Sequence, residues 1–360
     1  MASSCSYHFP QDLIFEILSY LPVKSLLRFR SVCKSWLSII SDQQFINAHL
    51  TNSQKKPAPL ILDKYFHRVY QLDTLEESVR LKLPSKGRFD CISSCSGLVC
   101  LADSDFHNNV MYLWNPATKQ LKKLLTVRRR REDQEVLLSD FVFGYDSTCN
   151  DYKLLRLTRV SYTNSFDELI LAELYSSKTE NFKEINVPEN LKNIAFGTNE
   201  KCVLDLKTGV LYFEGFDELI SFDMDKEVFG VYPFPFPDHV QHSKSNVLDF
   251  EGSAAMVFEA VDGSVLSLWT LDNVCDDKVA WTKKFNFEAD VKIDWVCLYW
   301  GAGQFVAKND EGLIFFYDYK KKDVKKLLLP PGDFEDFSSV VKYTESLVSP
   351  EGFQGFELLN

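Results

Sequence analysis

A strand–turn–strand pattern recurs through most of this 360-residue chain, and it constrains the possible fold more than any other feature. Each copy has a run of alternating apolar residues, a polar turn and a second such run, a pattern typical of β-hairpins. The six copies are VYQLDTLEESVRLKL, MYLWNPATKQLKKLL, LAELYSSKTENFKEI, ISFDMDKEVFGVYPF, LSLWTLDNVCDDKVAW and IFFYDYKKKDVKKLL. Their matching positions are Asp73, Asn115, Ser176, Asp223, Leu271 and Asp318, spaced by 42, 61, 47, 48 and 47 residues.

Most copies follow further strand-like runs, such as FVFGYD and YKLLRLTRV. Four strands per repeat in six repeats predict a mostly β fold, a six-bladed β-propeller-like domain over residues 60–348. The first unit lacks its earliest strand, so we predict that a late strand near 338–345 closes the ring and that 349–360 form a C-terminal tail. A pair of β-sandwiches is the structural alternative, and the sustained period counts against it.

The first fifty residues follow the helical period instead. One apolar face groups Leu13, Ile14, Ile17, Leu18 and Leu21. Pro22 ends this helix because proline lacks an amide hydrogen, and a second apolar series then runs from Val23 to Trp36. A third short helix is predicted beyond Asp42, and residues 51–59 (TNSQKKPAP) have the composition of a linker.

This helical module, residues 1–50, is too apolar to be self-contained. Of its 50 residues 26 are apolar, against 45% for the whole chain. Short helices cannot bury so much apolar surface among themselves. The module therefore either packs on the rest of the chain or docks on another protein.

Charge and cysteine usage limit the class of partner and the compartment. The net charge is −11, and residues 1–50 contribute +1, so the remainder carries −12. An acidic body argues against a nucleic-acid partner and slightly favours a basic protein partner. The nine cysteines form no C-x-x-C pair, which predicts reduced thiols in the cytoplasm or nucleus. No apolar run approaches the ~18 residues of a membrane helix, so no membrane association is expected.

Candidate enzyme chemistry is scarce. His239 and His242 are spaced by three residues in a loop-like stretch, but no third metal ligand accompanies them. The chain has neither a G-x-S-x-G elbow nor a glycine-rich phosphate loop. We therefore expect a non-catalytic protein with no metal and no cofactor.

Two loop-like stretches are candidates for binding a protein substrate. Lys119, Lys122, Lys123 and Arg128–Arg131 form a basic run, which is an acidic-substrate surface, a nuclear import signal or a solvated loop. Phe234 and Phe236 in PFPFP are either exposed anchors for a partner or plugs between two blades. The candidate substrate-binding residues are thus Arg128, Arg129, Arg130, Arg131, Phe234 and Phe236.

The module resembles an F-box. The resemblance rests on residues 9–36, FPQDLIFEILSYLPVKSLLRFRSVCKSW, with Phe9 standing where the family usually has leucine. The body resembles the F-box-associated, kelch-related domain of plant F-box proteins. The motifs that carry this second resemblance are Trp114-Asn115-Pro116-Ala117-Thr118, Phe143-Gly144-Tyr145-Asp146, Asn150-Asp151-Tyr152-Lys153-Leu154 and Tyr343-x-Glu345-Ser346-Leu347.

The resemblance implies a substrate-recognition subunit of a Skp-cullin-F-box ubiquitin ligase. The helices would dock on a Skp-type adaptor, and through it on a cullin, while the propeller recruits a protein for ubiquitination and degradation. The adaptor-binding residues so implied are Pro10, Leu13, Ile17, Leu18, Leu21, Pro22, Leu26, Leu27, Val32 and Trp36. Leu18, Leu26 and Trp36 would be central anchors. The alternatives are an adaptor-independent propeller scaffold whose helices pack on its own propeller, and an enzyme with its active site at the propeller's central opening.

Overall fold

The computed structural model of this protein describes most of the chain. The described residues are 10–55, 57–63, 68–71, 77–80, 89–103, 110–125, 134–162, 168–191, 202–205, 208–215, 218–235, 242–260, 265–275, 278–288, 290–326, 337–350 and 353–355. All structural statements below concern these residues.

Four short helices form the N-terminal module: α1 (Gln11–Ser19), α2 (Val23–Phe29), α3 (Lys34–Ser41) and α4 (Gln43–Ser53). The second apolar series is two helices rather than one, because the chain turns at residues 30–33. Asp42 caps α4 by accepting hydrogen bonds from the backbone amides of Gln44 (2.8 Å) and Phe45 (3.4 Å). Since α4 continues to Ser53, residues 51–53 are helical and not part of the predicted linker.

Membrane-spanning geometry is not found among the described helices. None of them is long and apolar enough to cross a bilayer. A single short 3₁₀ helix, Glu189–Leu191, is the other helical element of the described chain.

The described strands form six antiparallel sheets, five with four strands and one with five. The first sheet orders its strands β24-β1-β2-β3, and the second orders them β25-β7-β6-β5-β4. The third runs β11-β10-β9-β8, and the remaining three follow chain order from β12 to β23. The strands are β1 (Ala58–Asp63), β2 (Arg68–Gln71), β3 (Glu77–Arg80), β4 (Phe89–Cys95), β5 (Leu98–Asp103), β6 (Val110–Asn115), β7 (Gln120–Leu125), β8 (Gln134–Asp146), β9 (Asp151–Tyr162), β10 (Glu168–Ser176), β11 (Asn181–Ile185), β12 (Cys202–Asp205), β13 (Val210–Glu214), β14 (Glu218–Asp223), β15 (Val228–Pro233), β16 (His242–Phe250), β17 (Ser253–Ala260), β18 (Leu266–Cys275), β19 (Lys278–Phe287), β20 (Trp295–Gly301), β21 (Gln304–Lys308), β22 (Ile314–Asp318), β23 (Asp323–Lys326), β24 (Phe337–Tyr343) and β25 (Gln354–Gly355).

One edge strand of each sheet contacts the corresponding strand of the next sheet. In order, β24 contacts β4, β4 contacts β8, β8 contacts β12, β12 contacts β16, β16 contacts β20, and β20 contacts β24. This cyclic order is a β-propeller arrangement. The mostly β architecture behind an N-terminal helical module is therefore confirmed.

The two ends of the propeller sequence meet in the first sheet. Strand β24 pairs antiparallel with β1, with Leu60 opposite Val341 and Ala58 opposite Tyr343. The final residues are more than a tail, because Gln354 and Gly355 pair with β7 and add the fifth strand to the second sheet. After β24, which belongs to the first sheet, the chain thus continues to the second sheet.

Apolar side chains between neighbouring sheets form the core. One of the two largest clusters joins Leu155 and Leu174 of the third sheet to Leu211 and Phe222 of the fourth. A second cluster joins Phe250 of the fifth sheet to Phe305 of the sixth, with parallel rings 6.0 Å apart. The six cysteines whose side chains the structure describes form no disulfide with one another, and Cys33 and Cys149 among them are exposed.

Candidate functional site

The helical module has an apolar outer surface. Among the described residues, nine large apolar side chains are exposed, and five of them lie in the module: Leu13, Ile17, Tyr20, Val32 and Leu37. Leu13 and Ile17 are four residues apart on α1, so they share one face of that helix. A concentration of exposed apolar side chains on one small unit is typical of a protein-docking surface.

The ten residues predicted to bind an adaptor differ in exposure, and some lie on the surface of the module while others lie in its interior. Pro10, Leu13, Ile17, Pro22 and Val32 are exposed. Leu21, Leu27 and Trp36 are half-buried, and Trp36 lies edge-on against Phe29 at 5.1 Å. Leu18 and Leu26 are 2% and 0% exposed, so they belong to the interior of the module. We expected Leu18 and Leu26 to be central anchors for a partner, but their burial shows that they hold the helices together instead.

The interior of the module includes a residue from the far end of the chain. Leu347 is buried in one apolar cluster with Leu18, Val23, Leu26, Ile40 and Phe45. Ala117, from the β6–β7 turn of the second sheet, also packs against this cluster. The module therefore packs on the rest of the chain, which was one of the two possibilities, and it still presents an apolar outer surface.

Asn115 fixes the segment that carries Leu347. Its side-chain amide donates to the carbonyl oxygens of Ser346 (3.0 Å) and Val348 (2.8 Å), while its Oδ1 accepts from the hydroxyl of Tyr343 (3.1 Å). The same Oδ1 accepts from the backbone amide of Ala117 (3.0 Å). Asn115 is fully buried, and its hydrogen bonds join the WNPAT motif to the Tyr343-x-Glu345-Ser346-Leu347 motif.

Gly97 allows the same segment to approach the second sheet. Its φ is +84°, and a Cβ atom placed there would lie 2.1 Å from Ser346 Oγ. The hydroxyl of Ser346 donates to the Gly97 carbonyl at 3.1 Å. Both the positive φ and the short distance from a Cβ atom to Ser346 Oγ exclude a residue larger than glycine at this position.

His49 lies buried at the junction of the module and this segment. Its Nε2 lies 2.9 Å from the Leu21 carbonyl, and its ring stacks on Phe45. Burial lowers the pKa of His49, although the Leu21 carbonyl and the charge of Glu345 act in the opposite direction. The neutral imidazole is therefore the favoured form at this junction.

The other motifs of the resemblance build a polar clamp between the third and fourth sheets. Lys153 donates to Asp146 (2.8 Å), to the Met224 carbonyl (2.5 Å) and to Glu227 (3.3 Å). Burial opposes ionisation of Asp146, but hydrogen bonds from Lys153, Thr148 and Cys149 outweigh it and hold its pKa below the usual value. These motif residues are structural.

Of the six candidate substrate-binding residues, the structure describes only Phe234. Arg128, Arg129, Arg130, Arg131 and Phe236 lie outside the described residues. Phe234 is 8% exposed and packs edge-on against Phe258 of the fifth sheet at 5.0 Å, which favours the plug over the exposed anchor. Lys122, in the same basic run as the arginines, is 9% exposed and pairs with Glu180, whereas Lys119 and Lys123 are exposed.

The candidate metal ligands do not form a site in the described part of the protein. No group of three His, Cys, Asp or Glu side chains has metal-binding geometry there. His239 lies outside the described residues, and only the backbone of His242 is described.

Sequence reasoning missed several residues of this site. Tyr20 and Leu37 are exposed, and the helical spacing of Tyr20 from Ile17 was the available signal. Glu345 and Leu347 had no local signal for contact with the helices, because they lie far along the chain, with Glu345 lying 322 residues beyond Val23.

Comparison with known proteins agrees with the helical module and the propeller arrangement. Residues 7–47 match the F-box domain, and residues 67–349 match the F-box associated beta propeller domain. The Arabidopsis thaliana protein At4g09190 is 30% identical over 295 residues, which cover 77% of this chain and 70% of that protein. The F-box protein At3g07870 of the same plant is 25% identical over 310 residues, covering 77% of this chain and 72% of that protein.

A further relative carries the kelch label. The Arabidopsis thaliana F-box/kelch-repeat protein At3g23880 is 27% identical over 259 residues, covering 64% of this chain and 66% of that protein. The two domain matches together include α1 to α3 and β2 to β24, and the propeller match alone covers more than half of the chain. The chain belongs to the plant F-box proteins that carry an F-box-associated β-propeller domain.

Proposed function

We propose that this protein is the substrate-recognition subunit of a Skp-cullin-F-box ubiquitin ligase. The observation that carries the proposal is the exposed apolar surface of the module that matches the F-box domain. Leu13, Ile17 and Val32 would contact a Skp-type adaptor, and the adaptor would connect the chain to a cullin. An exposed apolar cluster of this kind is stabilised when a partner covers it.

The mechanism requires no bond chemistry from this chain. A protein held on the propeller has its lysines at high effective concentration near activated ubiquitin carried elsewhere in the complex, which accelerates transfer by proximity. Proteins of this family are typically adaptors for substrates, and we propose a non-catalytic role here. The cysteine pattern of the sequence supports the cytoplasm or nucleus as the compartment.

We also propose that the six sheets act as six blades of one closed ring. The cyclic contacts of their edge strands and the pairing of β24 with β1 support this. Closure leaves the connecting loops at the two ends of the ring for protein recognition, as loops on a rigid scaffold are the usual place for binding residues. A basic segment is the target chemistry that the acidic body favours.

The proposal is tested by copurification of the full chain with a plant Skp-type adaptor. We expect a one-to-one complex, and we expect the Ile17→Ala/Val32→Ala variant to bind about tenfold or more weakly, because it loses two exposed anchors. The matched control is Leu313→Ala, which truncates an exposed apolar residue of the propeller and leaves adaptor affinity unchanged. A folded wild-type chain that binds no adaptor would contradict the proposal.

An adaptor-independent scaffold remains the second candidate, favoured by one observation. The module packs on its own propeller through Leu347, as such a scaffold requires. This contact uses the interior of the module and leaves Leu13, Ile17 and Val32 exposed. A monomeric, soluble chain with no adaptor complex would favour the scaffold.

A further inference from the structure

We propose that the propeller completes the adaptor-binding module, so that adaptor affinity depends on the segment Thr344–Leu347 that follows the ring-closing strand. The inference rests on the proposed function and adds residues to it. Glu345 and Leu347 act as positioning residues, because they support the helices that present the outer surface.

The first observation is the place of Leu347 in the module. Its side chain is 1% exposed and shares one cluster with Leu18 of α1, Leu26 of α2 and Phe45 of α4. The four helices have only 9, 7, 8 and 11 residues. Isolated helices of this length are marginal in water, so they depend on the packing of a common interior. Leu347 is part of that interior although it belongs to the propeller end of the chain.

The second observation concerns the start of α2. This helix begins after Pro22 without a side-chain cap of its own. The carboxylate of Glu345 accepts a hydrogen bond from the backbone amide of Val23 at 3.4 Å. A carboxylate at this end also interacts favourably with the helix dipole. The propeller segment therefore supplies a cap that the local sequence lacks.

The third observation is how tightly the segment is tied to ring closure. Tyr343 is the last residue of β24 and pairs with Ala58 of β1, and only three residues separate it from Leu347. Asn115 holds the backbone of the segment at Ser346 and Val348. The position of Leu347 is consequently set by closure of the ring.

These contacts connect the interior of the module to its outer surface. Ile17 and Leu18 are adjacent on α1, with Ile17 53% exposed and Leu18 2% exposed in the cluster with Leu347. When the interior loosens, the outer side chains lose their fixed arrangement. The apparent dissociation constant for the adaptor is inversely proportional to the fraction of molecules whose outer side chains keep the arrangement that binds it.

The test compares two neighbouring truncations in the full chain. Leu347→Ala removes packing from the module, whereas Val348→Ala removes packing from a propeller cluster that includes Cys95 and Leu113. We expect Leu347→Ala to weaken binding of a purified plant Skp-type adaptor about tenfold or more and to accelerate amide exchange in α1 and α2. Val348→Ala should leave the affinity within about twofold, and Leu347→Met should restore it.

A second variant keeps the test valid if Leu347→Ala disturbs the whole protein. Glu345 is exposed, so Glu345→Ala leaves the propeller folded, and loss of the cap should weaken adaptor binding about threefold. Equal adaptor affinity for the wild type, Leu347→Ala and Glu345→Ala would overturn this inference and leave the proposed function standing. A wild-type chain without adaptor affinity would instead overturn the proposed function.

Discussion

Two aspartates on strand β8 show how the surroundings of a residue decide its effect on stability. Asp146 is held ionised by Lys153, Thr148 and Cys149, and its pKa is lowered. Burial raises the pKa of Asp140 to about 6, and the nearby charge of Arg159 opposes this only in part. The same residue type on one strand therefore stabilises the fold at one position and costs stability at the other.

The pH dependence of stability should separate these two residues. Asp140 has a folded pKa above its unfolded value near 3.8, so the folded state binds the extra proton and stability falls as pH rises from about 4 to about 6. We expect Asp140→Asn to gain on the order of 1–2 kcal/mol at pH 7 after allowance for partial solvent access, and nothing below pH of about 4. Urea unfolding at several pH values measures this difference.

The matched control is Asp146→Asn, for which the expected change in stability at pH 7 has the opposite sign. Its lowered folded pKa stabilises the protein above the unfolded value, and that stabilisation is lost as pH falls below about 4. The variant should therefore lose stability at pH 7 and approach the wild type in acid. Parallel pH profiles for the two variants would contradict both assignments.

At the scale of elements, one late strand joins the two ends of the propeller sequence. Strand β24 pairs with β1 and contacts the edge strands β4 and β20 of the neighbouring sheets. Without β24, the first sheet would expose the edge of β1, and an unpaired edge promotes aggregation. Strand β25 has two residues and extends a sheet that already has four strands.

Truncation of the chain should distinguish these two strands. We expect a chain ending at residue 336 to aggregate or to lose most of its folded yield, because β24 and the Leu347 segment are both removed. A chain ending at Pro350 loses only β25 and its flanking residues, and should remain a folded monomer with a modestly lower Tm. Size-exclusion chromatography and thermal unfolding measure both outcomes; a folded monomer from the shorter chain would disprove the closing role of β24.

At the scale of the whole molecule, the module and the propeller share buried contacts. Leu347 of the propeller segment is buried in the interior of the module. Buried His49 contacts the Leu21 carbonyl and is influenced by the charge of Glu345. The helices should therefore unfold together with the propeller while these contacts hold. Weakening the junction should separate the two transitions.

Acid should weaken this junction through His49. Its folded pKa is below the unfolded value of 6.5, so its contribution is complete above that pH and declines as pH falls through the folded pKa. We expect amide exchange of α1 and α2 to accelerate relative to the propeller between pH 7.5 and pH of about 5. His49→Gln keeps a donor toward the Leu21 carbonyl and removes the titration, so its exchange should change less with pH. The same pH response in both proteins would exclude His49 as the cause.

Much of the fold could be predicted from local patterns. Alternation in the strands and polar turns between them defined the hairpins, and four of the matching positions, Asn115, Ser176, Asp223 and Asp318, end the third chain-order strand of their sheets. Leu271 lies within β18 instead, and the boundary between α2 and α3 was missed. The β18–β19 hairpin stays paired as far as Cys275 and Lys278, so its turn lies beyond Leu271.

The sequence by itself determined the helical module, the repeated hairpins and the family, because periodicity and short motifs are properties of neighbouring residues. The tertiary structure decided which apolar side chains of the module face outward and which hold it together. Helical spacing places Ile17 and Leu18 on one broad apolar face, but only packing against other helices exposes the first and buries the second. Leu347, four residues after β24, likewise joins the module because β24 pairs with β1, a contact between distant parts of the chain that no local pattern encodes.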